Sequence, residues 1–94
     1  MIPNPEEADM IEAHDRLMNE RIEFETKIVT LSSTIHAVRE RINYLGSVPE
    51  ATTDGVAKAT DKLRHSLASL DQARIGLLRV NAAIEQFRFA ANIL

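Results

Sequence analysis

Three polar residues, His14, Arg21 and Glu25, fall inside a band of apolar residues, and three further arginines, Arg74, Arg79 and Arg88, lie late in the chain. A guanidinium held among apolar groups is pre-organised for phosphate or carboxylate, so these residue types point to the grip of an anionic ligand. Arg21 and Glu25 stand four apart, the spacing of an ion pair along one helix face. The same pattern also reads as a polar layer that sets register in an oligomer core, or as an arginine whose stem packs while its head reaches water. At the level of sequence both readings stay open.

Other reactive side chains do not converge. His36 and Glu40 are four apart and His65 lies at a similar level on a second helix, but their phases point about 130° and 180° away from the local apolar seams. They are expected as solvated histidines, with no metal. The groups Arg39-Glu40-Arg41 and Lys58, Lys62 and Arg64 are likewise expected on solvated faces. Ser32, Ser33, Thr34 and Ser66 have no base arranged beside them, so no catalytic residue and no cofactor is expected.

The elements that must position these groups follow from periodicity. Ile28, Leu31, Ile35, Val38, Ile42 and Leu45 alternate spacings of three and four, the seam of a helix packed lengthwise on another. Backwards the seam runs through Phe24, Arg21, Leu17, His14 and Met10, and a second line, Ile11, Met18, Ile22 and Val29, runs beside it. Asn4 as cap, Pro5 in the first turn and the acids Glu6 and Glu7 predict the helix start. Gly46 is expected to end it as a left-handed residue.

A second helix is expected to be firm from Asp54 onward, either after a capping box at Ser47-Val48-Pro49-Glu50 or after the later start Thr52-Thr53-Asp54-Gly55, with a helical turn around Pro49 to Ala51. It carries Val56, Leu63, Leu70, Leu77, Ile84 and Ala91 at intervals of seven, supported by Leu67, Ala73, Val80, Phe87 and Leu94. The fold class predicted is therefore all-α, one domain over 1–94. Two long helices, about 5–45 and 54–93, form an antiparallel hairpin in which residues whose numbers add to about 100 lie level.

Composition limits the function. The 94 residues include no cysteine, 4% aromatics, and three each of Gly and Pro, a helix-rich chain without a disulfide framework. The net charge of -3 argues against general nucleic-acid binding, and no apolar run approaches the ~18 residues of a membrane span. A soluble, cytoplasmic protein is expected. Residues 1–25 carry eight acids against Arg16 and Arg21, and folding the hairpin brings this acidic start level with Arg74, Arg79 and Arg88.

One hairpin cannot cover all of the apolar surface. Ile75, Leu78, Ala82, Phe89 and Ile93 form a second face on helix 2, about half a turn from its seam. With Ile11, Met18 and Ile22 they are expected to form an interface between copies, a four-helix dimer or a higher assembly. Gly76, Ala82, Ala83, Ala90 and Ala91 allow close helix approach, although alanine is also simply the best helix former.

Two resemblances bear on function. The segment Ile11 to Ile22 (IEAHDRLMNERI) looks like the first helix of small all-α chorismate mutases, but the regular Arg, Arg, Lys series that would bind that family's substrate is absent from helix 1. Pro5 to Leu17 (PEEADMIEAHDRL) and Ile75 to Gln86 (IGLLRVNAAIEQ) resemble the two conserved helical segments of small phage anti-CBASS sponges. That resemblance implies a compact helical oligomer that sequesters a cyclic oligonucleotide without cleaving it, in the host cytoplasm. Here no aromatic-basic segment precedes helix 1, and Trp is absent. The sequence thus predicts a non-enzymatic protein acting by binding, with an anionic nucleotide between protomers or, alternatively, a partner protein helix on the second apolar face.

Overall fold

The computed structural model describes the backbone of residues 5–48, 50 and 52–93 and the side chains of 6–48, 50 and 52–90. The chain forms two helices, α1 (Pro5–Ser47) and α2 (Thr53–Ile93), joined across five residues and packed as an antiparallel hairpin. No strand occurs among the described residues. The molecule measures 71 × 22 × 15 Å with a radius of gyration of 20.9 Å, against about 12 Å for a compact domain of this length.

Periodicity places the core where the seam requires it. Every position of the α1 seam from Met10 to Leu45 is buried or half-buried, with Ile35 and Val38 the deepest. On α2 the buried positions are Ala59, Ser66, Leu70, Ala73, Val80 and Ile84, the last only 2% exposed. Ala59 and Ser66 complete, with Ala73, Val80 and Phe87, a second line at intervals of seven that large apolar residues alone do not reveal. The expected register holds: Phe24 packs on Gly76 and His14 on Phe87, while Leu31 and Ser69 line one groove. The positions of Ala91 and Leu94 in the seam, and of Ile93 on the outer face, lie outside the described side chains.

The turn differs from expectation in one respect. Gly46 is not left-handed, since no glycine has a positive φ among the described residues, and α1 continues through it to Ser47. The helix instead ends by tightening: the Val48 N–H donates to the Leu45 carbonyl at 3.3 Å and the Ser47 hydroxyl donates to the Tyr44 carbonyl at 2.8 Å. These bonds occupy carbonyls that a Gly-terminated cap would otherwise satisfy. Of the two starts open to α2 the later one holds, because Ser47 belongs to the end of α1 and does not open a capping box. Thr52 is the cap of α2, its hydroxyl accepting the Gly55 N–H at 3.1 Å. The Asn4 cap, and the turn expected around Pro49 and Ala51, fall on residues outside those described.

Gly46 sits in helical backbone with open space around its Cα. Gly46→Ala is therefore predicted to stabilise the hairpin by about 0.5 kcal/mol, mainly by restricting the unfolded chain. A lowered urea midpoint would show that this position leaves the helical conformation.

Candidate functional site

The seam loses its apolar character toward the end away from the turn, and the candidate site lies there. At Arg21 a guanidinium occupies a seam position, its side chain 31% exposed. Its Nε lies 3.6 Å from a Glu25 carboxylate oxygen, beyond hydrogen-bond reach, and is a buried donor without an acceptor. A buried donor left in this way costs about 1–3 kcal/mol. Glu25, more than half exposed, balances the charge without satisfying the donor.

His14 lies seven residues earlier, two helical turns away, so it does not join Arg21 in one cluster. Its ring meets Phe87 at 5.4 Å between centroids, tilted by 41°, and its Nδ1 lies 3.8 Å from Asp15. Glu7, Met10, Ile11, His14 and Phe87 line a shallow apolar dent at the open end.

The later arginines are distributed over the hairpin. Arg79 lines a groove with Phe24, Lys27, Ser69, Gln72 and Gly76, whereas Arg74 lines another groove with Ser32, Ile35, His36, Arg39 and Leu67. These grooves lie on opposite flanks of the seam: Lys27 and Gly76 precede the seam residues Ile28 and Leu77, while Ser32 and Leu67 follow Leu31 and Ser66. Arg88 is exposed. Among the described residues every ion pair lies within one helix, and none involves Arg74, Arg79 or Arg88. The acidic start of α1 is thus level with these arginines but forms no ion pair with them.

Lys27 is a groove cation outside the residues expected to bind; its place one residue before Ile28 was the available signal. Gly76 is the other local determinant. A Cβ built there would fall on the edge of the Phe24 ring, so glycine is what allows the two helices to close at this level.

The remaining polar groups serve their own helices. His36 pairs with Glu40 at 3.2 Å, and the His65 ring nitrogen lies 2.9 Å from the Asp61 carbonyl. The Thr34 and Thr60 hydroxyls donate to the carbonyls of Thr30 and Val56. Among the described residues no group of three or more His, Cys, Asp or Glu could hold a metal ion. Nor, among them, is any helix long and apolar enough to cross a membrane.

The expected interface residues are mostly open to solvent. Ile11, Ile22, Ile75, Leu78 and Phe89 are all exposed, Leu78 by 70% and Phe89 by 68%, as is Val29, which was not among them. Met18 is half-buried. Compared with protein-family models, with curated proteins and with solved structures, the chain matches none.

Replacing Arg21 by methionine removes the orphaned donor, so Arg21→Met is expected to leave stability unchanged or raise it by about 1 kcal/mol; a loss larger than that in a denaturant titration would make Arg21 a structural residue. Gly76→Ala is expected to cost about 1–2 kcal/mol by turning the Phe24 ring aside. Most of that penalty should vanish in a Phe24→Leu background, and an equal penalty in both backgrounds would break the link between the two residues.

Proposed function

We propose that the protein is non-enzymatic and acts by binding, as a self-associated helical bundle in the cytoplasm. The observation that carries this reading is the exposure of seven large aliphatic or aromatic residues, Ile11, Ile22, Val29, Tyr44, Ile75, Leu78 and Phe89, on a two-helix hairpin. Such a hairpin buries one stripe per helix, and small domains with thin cores usually gain stability from association. No side-chain constellation in the described residues supplies a nucleophile and base.

The specific form we propose is a phage-type anti-defence protein holding an anionic ligand, such as a cyclic nucleotide, between protomers. Two features support it. Arg21 has a buried Nε that lacks an acceptor, and among the described residues Arg74, Arg79 and Arg88 carry no ion pair. The segments from Pro5 to Leu17 and from Ile75 to Gln86, which resemble the sponge segments, contain the exposed residues Ile11, Ile75 and Leu78. A second reading, a helical adaptor that receives a partner protein helix, is favoured by one feature: Leu78 and Phe89 lie on the outer side of α2, where a helix could lie along them.

Native mass spectrometry of gently purified protein tests both readings. For the sequestering reading the expected result is an oligomer carrying extra mass of nucleotide size. Calorimetry with a cyclic dinucleotide should then give heat with the wild type and at least tenfold weaker binding with Arg21→Ala, an effect of about 1.4 kcal/mol or more. Equal heats from the two proteins, or none from either, would sink that reading, and a bare oligomer that retains a helical protein would favour the adaptor.

A further inference from the structure

The hairpin exposes 7398 Å², whereas a compact monomer of 10.5 kDa exposes about 5,400 Å². The excess, about 2,000 Å², is more than twice the roughly 800 Å² that each partner contributes to a standard protein interface. Apart from Tyr44 near the turn, the large exposed apolar residues are not scattered over this area. They form two stripes, Ile11, Ile22 and Val29 on α1, with the half-buried Met18 among them, and Ile75, Leu78 and Phe89 on α2, at levels that overlap away from the turn.

Both stripes turn toward the same flank of the seam. Ser32 and Arg39 continue the α1 line Ile11–Met18 at intervals of seven, and they line one groove together with Leu67 and Arg74 of α2. Arg74 and Arg88, about four turns apart, border the α2 stripe on that flank. Ile75 stands at the far edge of the stripe, where it also lines the Arg79 groove. Helical phase sets the α1 stripe about 100° from the seam and the α2 stripe about 150°, turned toward the same side. One neighbouring molecule can therefore span both.

Charge selects how. Within the α1 stripe stand the exposed acids Asp15 and Glu25, and α1 carries most of the acidic charge of the chain. The α2 stripe is edged by Arg74 and Arg88, which form no ion pair among the described residues, and carries Asp71 and Glu85 in line with Leu78, so its charges are mixed where those of the α1 stripe are acidic. Laying α1 on α1 sets acid only against acid; laying α1 on α2 brings Asp15 and Glu25 to a stripe whose own acids are offset by Arg74 and Arg88. We propose that the α1 stripe of one hairpin docks on the α2 stripe of a second copy of this chain. This inference rests on the self-association reading above and adds which surfaces meet.

Ile22→Glu and Leu78→Lys, measured separately and then mixed, test the pairing by light scattering and sedimentation. Neither residue belongs to the seam, so each hairpin should stay helical by circular dichroism. The wild type is expected to be assembled, each variant alone should associate at least about tenfold more weakly, and the mixture should recover assembly. Recovery arises because the carboxylate introduced in one variant would meet the ammonium introduced in the other, while the remaining contact keeps Leu78 on Ile22. In a closed pair or a ring the outcome is the same, since both alternate the two contacts. An assembled wild type whose variants fail to recover on mixing, or fail to dissociate alone, would overturn the stripe pairing and leave self-association standing. A wild type that stays monomeric at micromolar concentration would overturn both and open the stripes to a different protein.

Discussion

The structure depends on one lengthwise seam between two helices. Each helix can offer its partner a single stripe, and everything outside that stripe meets solvent unless another molecule covers it. Among the described residues no large side chain is completely enclosed, and even the deepest, Ala73 and Ile84, lie at a two-sided contact and not inside a core. Stabilisation must therefore accumulate along the length of the seam, which explains helices of 43 and 41 residues in so small a protein. The exposed Leu78 and Phe89 are what remains when a pattern suited to several neighbours is folded onto one.

Close approach along the seam comes from small residues on one side. Ala59, Ser66 and Ala73 are buried on α2, and Gly76 receives the Phe24 ring. Larger α1 residues lie against these small positions, Val38 in one groove with Ala59 and Leu31 in another with Ala73. Beyond Phe24, toward the open end, α1 brings Arg21 and His14 into the seam instead of aliphatic side chains. There a donor is left unsatisfied and both apolar stripes reach the surface, while Val80 and Ile84 of α2 stay buried. The orphaned donor and the exposed stripes thus coincide at this end.

Electrostatics acts mainly within each helix. Ion pairs such as Glu12–Arg16, Arg21–Glu25 and Asp54–Lys58 follow the i, i+4 spacing and steady their own helices by modest amounts at exposed sites. They do not set the register between helices, which follows from the hydrophobic pattern and from the fit of Phe24 against Gly76. Arg74, Arg79 and Arg88 are consequently left available to groups outside the protomer.

The amino-acid sequence by itself determined the two helices, their antiparallel register and the seam, because a spacing of three and four over many turns admits one buried face. It also separated the stripes at Ile11, Met18 and Ile22 and at Ile75, Leu78 and Phe89 from that seam, since helical phase is a local property. Ala59 and Ser66 escaped a reading based on large apolar residues, because burial of a small or polar side chain depends on what faces it. The end of α1 was likewise misjudged: glycine permits a left-handed cap, but hydrogen bonds from Ser47 and Val48 satisfy the terminal carbonyls first. Only the tertiary structure decided that His14 and Arg21 have separate partners and that Arg74 and Arg79 line opposite flanks. Those outcomes depend on how two helices are rotated about their common seam, which sets where each long side chain emerges.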